Sequence, residues 1–476
     1  SRIMKAVKYL VAGLLVMGLA APAMAQDINY KDALKPIEAT LKAGNVDAKA
    51  FAKVLKEYQK EYKKDPKALV ALGNALVINK DYTNAMAVAD AVIAKYKTCG
   101  DAYILKGDIY AMQDNGGEAA SWYKNCMTMD PKNPQGYISY ANVYRKIDPQ
   151  ASAEALNKLR AVDPNYPIEA ETGHNYYSIG SYDKAYENFS KANLNTMEEY
   201  IFYEYCFTTY VLNKKDETLN LCKKGMQKYP KDTAFLILAM RASVDTQNFT
   251  EALQYANSIM ANNDIKKNSS IYSYYGLALA GNKQFDQALE QYNKALEVNK
   301  EDFKPYQYIS EAYKGMGNED KAIEFAQAYM DKNPNVSPSD YVKMAEIYNA
   351  KAQKGGDQKE ANVDKAINVY NSFAEKYPQL KAYAHLQAAN IAFQNELDDK
   401  ALANYELVIK ELESKQYDED EKGYLMQAYK NAGYIYWGSK KDLTTAQPYF
   451  EKLIKLDPNN SLAKKALGLD EEQQAQ

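Results

Sequence analysis

Two histidines, four cysteines and a few paired carboxylates are the side chains of this protein that could carry out chemistry. Histidine is the usual general base and the commonest metal ligand. His174 and His385 stand far apart, however, each without a second histidine or a cysteine at ligand spacing. The carboxylates of Asp398-Asp399 and Asp418-Glu419-Asp420-Glu421 sit in polar stretches, where acidic residues ordinarily solvate a turn. No C-x-x-C, G-x-S-x-G, G-x-x-x-x-G-K-S/T or G-x-G-x-x-G segment occurs. The spacings that hold zinc, expose a nucleophilic serine or cradle a phosphate are therefore missing. The expectation is a chain that is not an enzyme and that holds neither metal nor cofactor. The residue type in excess is tyrosine, 43 against 12 Phe and 2 Trp. Tyrosine combines a large apolar face with a polar tip, which suits recognition more than catalysis.

Composition narrows the scaffold that must position these groups. Hydrophobic residues make up 46% of the chain, too many for wholesale disorder. With 59 Lys+Arg against 62 Asp+Glu, the net charge of −3 gives no bulk electrostatic case for nucleic acid. At 476 residues the chain exceeds what one compact core supports, so several domains or a repeat array are expected. Lys5 and Lys8 precede an apolar run from Tyr9 to Ala21, and Ala23-Met24-Ala25 follows as an A-x-A site. This pattern predicts a signal peptide over 1–25, with residues 1–3 upstream of Met4 and Gln26 the first mature residue. The apolar run is too short to span a bilayer, no other stretch is long enough, and no lipid-accepting cysteine follows the site. A periplasmic or secreted protein, or one associated with the outer membrane, is expected.

The rest of the chain is one motif repeated. A small residue recurs at Ala85, Ala119, Ser152, Ala185, Thr218, Ala252, Ala288, Ala322, Ala366, Ala401 and Ala446, mostly 33–36 residues apart. Twelve positions before most of these anchors stands another small residue, Gly73, Gly107, Gly173, Cys206, Gly276, Ser310 and Ala389, with Ala141 eleven positions before Ser152 and Ala345 twenty-one before Ala366, across the long step. Twelve positions after it, Pro131, Pro164, Pro230, Pro334, Pro378 and Pro458 recur, and a proline cannot continue a helix. Apolar residues between fall at three- and four-residue spacing, as in Ala288, Leu289, Tyr292, Ala295 and Leu296. Each unit then reads as two helices of about 13 residues, close-packed through the small residues, with an apolar face that only the next unit can cover.

This pattern resembles the tetratricopeptide (TPR) family, whose 34-residue unit has the form W-x2-L-G-x2-Y…A-x3-F…P. The nearest copies are Tyr275-Gly276…Leu279…Ala288…Tyr292…Ala295 and Tyr306…Ile309-Ser310…Tyr313…Ala322…Pro334. The resemblance implies an all-α fold, an α-solenoid of tandem helical hairpins forming a right-handed superhelix with a concave groove. About eleven repeats are expected over 66–460, after an irregular N-terminal hairpin or cap over 26–65. Polar insertions over 351–362 and 413–421 should form longer surface loops, and 461–476 a capping helix with a polar tail.

In such arrays the first helix of each unit lines the groove. That register selects His174, Tyr177, Tyr200, Tyr203, Phe207 and Tyr210, with Asn142, Arg145, Arg241, Leu277 and Glu311 at equivalent places. A second patch comprises Tyr383, Asn390, Phe393, Tyr434 and Trp437. The bland alternative is that these residues only pack the neighbouring helix. The Lys/Asn carboxylate clamp of chaperone-binding TPR proteins is not reproduced: the corresponding slots hold Val70, Asn74, Asp108 and Asn142. The partner expected is a protein or peptide, with a glycan stacked on the aromatics as the alternative ligand. The chain's texture resembles exported TPR proteins of Bacteroidetes type, which suggests an envelope scaffold.

The hairpin geometry also bears on the cysteines. Partner positions in an antiparallel hairpin are symmetric about its turn. Cys206 and Cys222 are symmetric about Lys214, and Cys99 and Cys126 nearly so about Asn115. Two disulfides, Cys99–Cys126 and Cys206–Cys222, are therefore expected, against the alternative of four thiols acting as small buried hydrophobes.

Overall fold

The computed structural model describes residues 28–44 and 47–469. The expected signal peptide over 1–25 and the end of the polar tail, 470–476, lie outside the described residues. All regular structure among the described residues is helical, and the chain forms the expected all-α solenoid of tandem hairpins. It divides into two compact units at Leu238.

The first unit opens with α1 (Ile28–Ala43) and α2 (Ala48–Glu61). Hairpins α3 (Pro66–Ile78) with α4 (Tyr82–Lys95), and α5 (Gly100–Met112) with α6 (Gly116–Met129), follow. Next come α7 (Pro134–Tyr144) with α8 (Pro149–Val162), α9 (Ile168–Ser178) with α10 (Tyr182–Phe189), and α11 (Glu199–Val211) with α12 (Lys215–Lys228). Helix α13 (Ala234–Asp245) contains the boundary. The second unit continues with α14 (Phe249–Ala261), then α15 (Ser269–Gly281) with α16 (Phe285–Val298) and α17 (Lys304–Gly315) with α18 (Glu319–Lys332). It ends with α19 (Pro338–Gln353) and α20 (Lys359–Lys376), α21 (Lys381–Gln394) and α22 (Asp398–Glu413), α23 (Glu419–Tyr434) and α24 (Leu443–Leu456), and the short α25 (Ser461–Ala466).

One contact recurs at the heart of the hairpins. The small residue of the first helix lies against the ring sixteen positions later in the second. A Cβ placed on Gly107 would stand 2.5 Å from the Tyr123 ring, one on Gly173 2.5 Å from Phe189, and one on Gly276 2.3 Å from Tyr292. Real Cβ atoms do not approach so closely, so the backbone itself is the surface on which each ring packs. Where the small residues carry hydroxyls, these bridge the two helices. Ser152 Oγ donates to the Ala141 carbonyl at 2.7 Å and Ser310 Oγ to that of Ala322 at 2.6 Å.

The turn inside the hairpin is equally regular, though few glycines mark it. Lys80, Asp114, Asn213, Lys283 and Glu396 all have positive φ, as do Gly180 and Gly317, each seven positions after its small residue. Gln247 does the same seven positions after Met240, which stands where the other hairpins place a small residue. The amide that follows reaches back to a carbonyl five residues earlier, as Asp81 to Leu76, Lys214 to Thr209 and Gln284 to Leu279. This is a Schellman ending, which requires the left-handed residue. Asp148 departs from the column with φ −143°, because Pro149 follows it and restricts the preceding residue to extended backbone.

Tyrosine outnumbers phenylalanine partly because its hydroxyl ties the loops between repeats. Tyr96 donates to the Lys63 carbonyl at 2.8 Å and Tyr229 to that of Met197 at 2.9 Å, each about one repeat back.

Two expectations need correction. The extra residues of the first insertion mostly lengthen α19 and α20, leaving a short turn at Gly355-Gly356, both at positive φ. Those of the second lengthen α22 and α23, with Lys415 and Glu421 paired at 2.7 Å beside the link. The expected disulfides Cys99–Cys126 and Cys206–Cys222 are not formed, for all four cysteines are free thiols. Cys126 packs beneath Gly136 of the next hairpin, whereas Cys99 precedes α5 and packs on the Leu69, Val70 and Val92 cluster of the previous one. Cys206 and Cys222 do meet, as a hydrogen-bonded thiol pair, both wholly buried. They occupy the slot that Gly107 and Tyr123 fill elsewhere, two mid-sized side chains in place of none and a ring.

Two substitutions within one hairpin separate these effects. Gly276→Ala forces a methyl into the Tyr292 ring and should lower stability by about 2–3 kcal/mol. Lys283→Gly relieves a left-handed lysine at φ 59° and should raise it by about 0.5–1 kcal/mol. Urea unfolding of the two variants beside the parent measures both.

Candidate functional site

The first helices α9 and α11 of consecutive hairpins pack side by side in the first unit. They carry the aromatic run selected from sequence. Tyr203 and Phe207 stack with centroids 6.4 Å apart, Phe207 meets Tyr210 at 6.3 Å, and Tyr177 of α9 meets Phe207 edge-on at 6.3 Å. These rings are half-buried, neither core nor fully solvated, while Tyr200 is 48% exposed. At the far end of the run Lys215 Nζ lies 3.3 Å from the centre of the Tyr210 ring, a cation–π contact.

Beside Tyr200 the run ends in a nest of charge. His174 packs edge-on against Tyr200, and its Nδ1 lies 2.7 Å from Glu204 Oε2. A carboxylate only accepts, so Nδ1 carries the proton. Glu171, one turn before His174, is half-buried, and burial pushes its carboxyl above the ordinary range, with Glu198 and Glu204 adding to the rise. His174 and Arg145 act on it in the opposite sense. Burial lowers the Arg145 guanidinium, while Glu171 and Glu204 hold it up, and its Nε is buried without a hydrogen-bond partner. Tyr166, Tyr177 and Tyr200 are all shifted upward, first by burial and then by these carboxylates.

Register selected the aromatics, His174 and Arg145, but it passed over Glu171 and Glu204. Both stand two positions before their small residue, Gly173 and Cys206, where other hairpins mostly place apolar or uncharged residues such as Leu105, Ser139 and Leu238. Two successive glutamates in that column were the available signal. Asn142 is half-buried on α7.

Arg241 belongs to the second unit, where it donates to Ser270 Oγ at 3.1 Å and lies over Tyr274. In that unit Leu277 is half-buried, Glu311 is exposed 3.7 Å from Lys343, and a cavity of about 220 Å³ opens beside it between α17, α18 and α19. In the patch of Tyr383, Asn390, Phe393, Tyr434 and Trp437, Tyr434 is 46% exposed and the others are half-buried against neighbouring side chains. Asn390 accepts from the buried Tyr405 hydroxyl at 2.7 Å, which in turn accepts from Asn431. Tyr383 packs on Phe373 and Tyr424, Phe393 on Tyr405 and Tyr434, and Trp437 edge-on against Phe450.

Asp108 takes in α5 the place that Asn390 holds in α21. It accepts from the Tyr123 hydroxyl at 2.5 Å, fifteen positions on, as Asn390 does from Tyr405. Burial pushes its carboxyl up to about 7, against the partial relief of that hydrogen bond, and Oδ2 has no partner. Among the described residues no group of three His, Cys, Asp or Glu could hold a metal ion, and no helix is long and apolar enough to cross a membrane.

Comparison with known proteins agrees with this architecture. Tetratricopeptide repeat families match residues 71–134 and 427–460. A protein named photosystem I assembly protein Ycf3, from Prochlorococcus marinus subspecies pastoris, is 32% identical over 138 residues, 27% of this chain and 79% of its own. The protein of the same name from a second strain of Prochlorococcus marinus is 28% identical over 155 residues, 29% of this chain and 87% of its own. A crystal structure of the C-terminal part of a TPR repeat-containing protein from Cytophaga hutchinsonii aligns with 56% of this chain and 99% of its own, at 19% identity and a TM-score of 0.44.

The Asp108 slot makes a pH prediction. Its carboxyl titrates near 7 when folded and near 3.8 when unfolded. The folded chain thus holds the extra proton, and this contribution to stability is full below pH 4 and lost as pH rises through 7. Asp108→Asn, which copies Asn390, should gain stability relative to the parent by on the order of 1 kcal/mol for each pH unit between 4.5 and 7. Urea midpoints of both proteins at pH 5 and pH 8 test it, and an unchanged difference would refute it.

Proposed function

We propose that this chain, which belongs to the tetratricopeptide repeat family, is an exported, non-enzymatic scaffold of the cell envelope that holds an extended segment of a partner protein along α9 and α11. TPR proteins bind protein partners, and the observation that carries the reading here is the half-buried run of Tyr177, Tyr203, Phe207 and Tyr210. A ring that is half-covered in the free protein can bury the rest of its face against a ligand with little loss of side-chain freedom. Partner binding of this kind concentrates in a few aromatic anchors. The relatives' names describe assembly of a photosystem, and what is carried over to this chain is the holding of other polypeptides, not that partner. Export rests on the signal-like residues 1–25, and an envelope location follows from export.

The double variant Tyr203→Ala/Phe207→Ala should bind a captured partner peptide at least about tenfold more weakly than the parent, with its far-UV circular dichroism unchanged. Binding confined to a glycan array would replace the peptide by a carbohydrate, and unchanged peptide affinity would remove the aromatic run from the reading. Expression of the whole chain in a Gram-negative host, followed by N-terminal sequencing, should give Gln26 as the first residue. A chain that keeps its leader and stays in the cytoplasm would refute export.

A further inference from the structure

The ring contact that recurs through the hairpins is missing from one of them. The residue four positions after each anchor of the second helix points into the space between the helices, and outside that hairpin it is at most 2% exposed throughout, from Ala89 to Phe450. In most hairpins it fills the space itself, as Tyr123, Phe189, Tyr292 and Phe450 do. Where it is small, another side chain takes over. Leu105 of the next hairpin covers Gly73 in the hairpin of Ala89, and Met240 is fully buried in that of Ala256. In the α17–α18 hairpin both places are small, Ser310 and Ala326, and no side chain takes over. Ala326 stays half-buried, and the cavity of about 220 Å³ opens on both residues. The ring of α18 stands one position early, at Phe325, where it stacks on Tyr313 and Tyr306 instead.

We infer that this cavity in the second unit is a socket for one aromatic side chain, a phenylalanine presented by a bound protein segment, which takes the place that the repeat's own ring fills elsewhere. The socket is separate from the aromatic run of the first unit and does not rest on it.

Size, lining and rim argue for that guest. An apolar cavity of about 150 Å³ holds benzene, so one of about 220 Å³ holds a phenyl ring with its methylene. Met330, Met344, Ile347 and the Tyr329 ring line it, and thioethers adapt their shape to a ring and make favourable contacts with its edge. The polar atoms inside are already engaged. Ser310 Oγ donates to the Ala322 carbonyl, while the Tyr329 hydroxyl accepts from Asn333 and donates to Asp340. A polar tip would gain nothing there, so phenylalanine fits better than tyrosine. Met344 and Ile347 are buried, whereas Glu311, Lys314, Lys343 and Glu346 of the same lining are exposed. A ring therefore enters from solvent and leaves its main chain at a polar rim. Protein partners concentrate binding energy in such anchors, a ring in a pocket surrounded by weaker contacts.

The test uses the full chain carrying carbon-13 methyl methionine. N-acetylphenylalaninamide should shift the Met330 and Met344 methyl resonances saturably, with a Kd on the order of 1 mM. N-acetylalaninamide at the same concentrations should leave them in place. Ser310→Ala/Ala326→Tyr copies the Ala389 and Tyr405 pair and closes the socket from within. It should melt about 2–4 °C above the parent and bind the phenylalanine amide at least about tenfold more weakly. Ala326→Leu, which copies Leu156, reads the same loss with a smaller insertion. Equal shifts with the two amides, no shift with either, or a response that survives both variants would overturn the inference. So would a response to toluene without one to N-acetylphenylalaninamide, which would make the cavity a site for a small hydrophobic molecule.

Discussion

Three of the hairpins are set by how closely two helix backbones can approach where a ring of the second lies on bare backbone of the first. At Gly107, Gly173 and Gly276 there is no room for even one methyl, so the ring packs on peptide and not on a side chain. This contact fixes the distance between the helices, and with it the direction in which the first helix presents its opposite face. Because each hairpin buries its remaining apolar surface only against its neighbours, stability is spread along the array in local increments. The exposed face of the first helices is then free to vary without disturbing what holds them.

That separation explains the texture of α9 and α11. Their inward positions are small or apolar, as Gly173, Tyr176, Phe202 and Cys206. Their outward positions carry half-buried rings and a charged nest that no packing requirement demands. Arg145, Glu171, His174 and Glu204 come from three successive hairpins. Their meeting is therefore a property of the stacking and not of any one repeat.

Much of this was legible in the sequence, because the constraints that shape a hairpin are local. The spacing of small residues, rings and prolines located each helix pair, and the same register selected Tyr203 and Phe207. Other features were hidden for identifiable reasons. The left-handed turn residue is more often Lys, Asp, Asn, Gln or Glu than Gly, so only its place in the hydrogen-bond pattern exposes it. Glu171 and Glu204 look like solvated surface until α9 and α11 are set side by side, where Glu204 meets His174. Asn390 shared a register with groove residues but spends its carbonyl on Tyr405. Hairpin symmetry correctly set Cys206 opposite Cys222 but could not say whether the pair would be joined. For Cys99 and Cys126, one residue packs toward the hairpin before and the other toward the hairpin after.

The thiol pair has an evolutionary corollary. Cys206 and Cys222 jointly fill a space that glycine and an aromatic residue fill in other hairpins. Neither arrangement converts to the other by a single change: a ring opposite Cys206 collides, and a glycine opposite Cys222 leaves a void. Lineages of this protein should therefore exchange the two positions together, or through an alanine intermediate. The covariation of that one pair of columns would trace which repeats descend from a common duplicated hairpin.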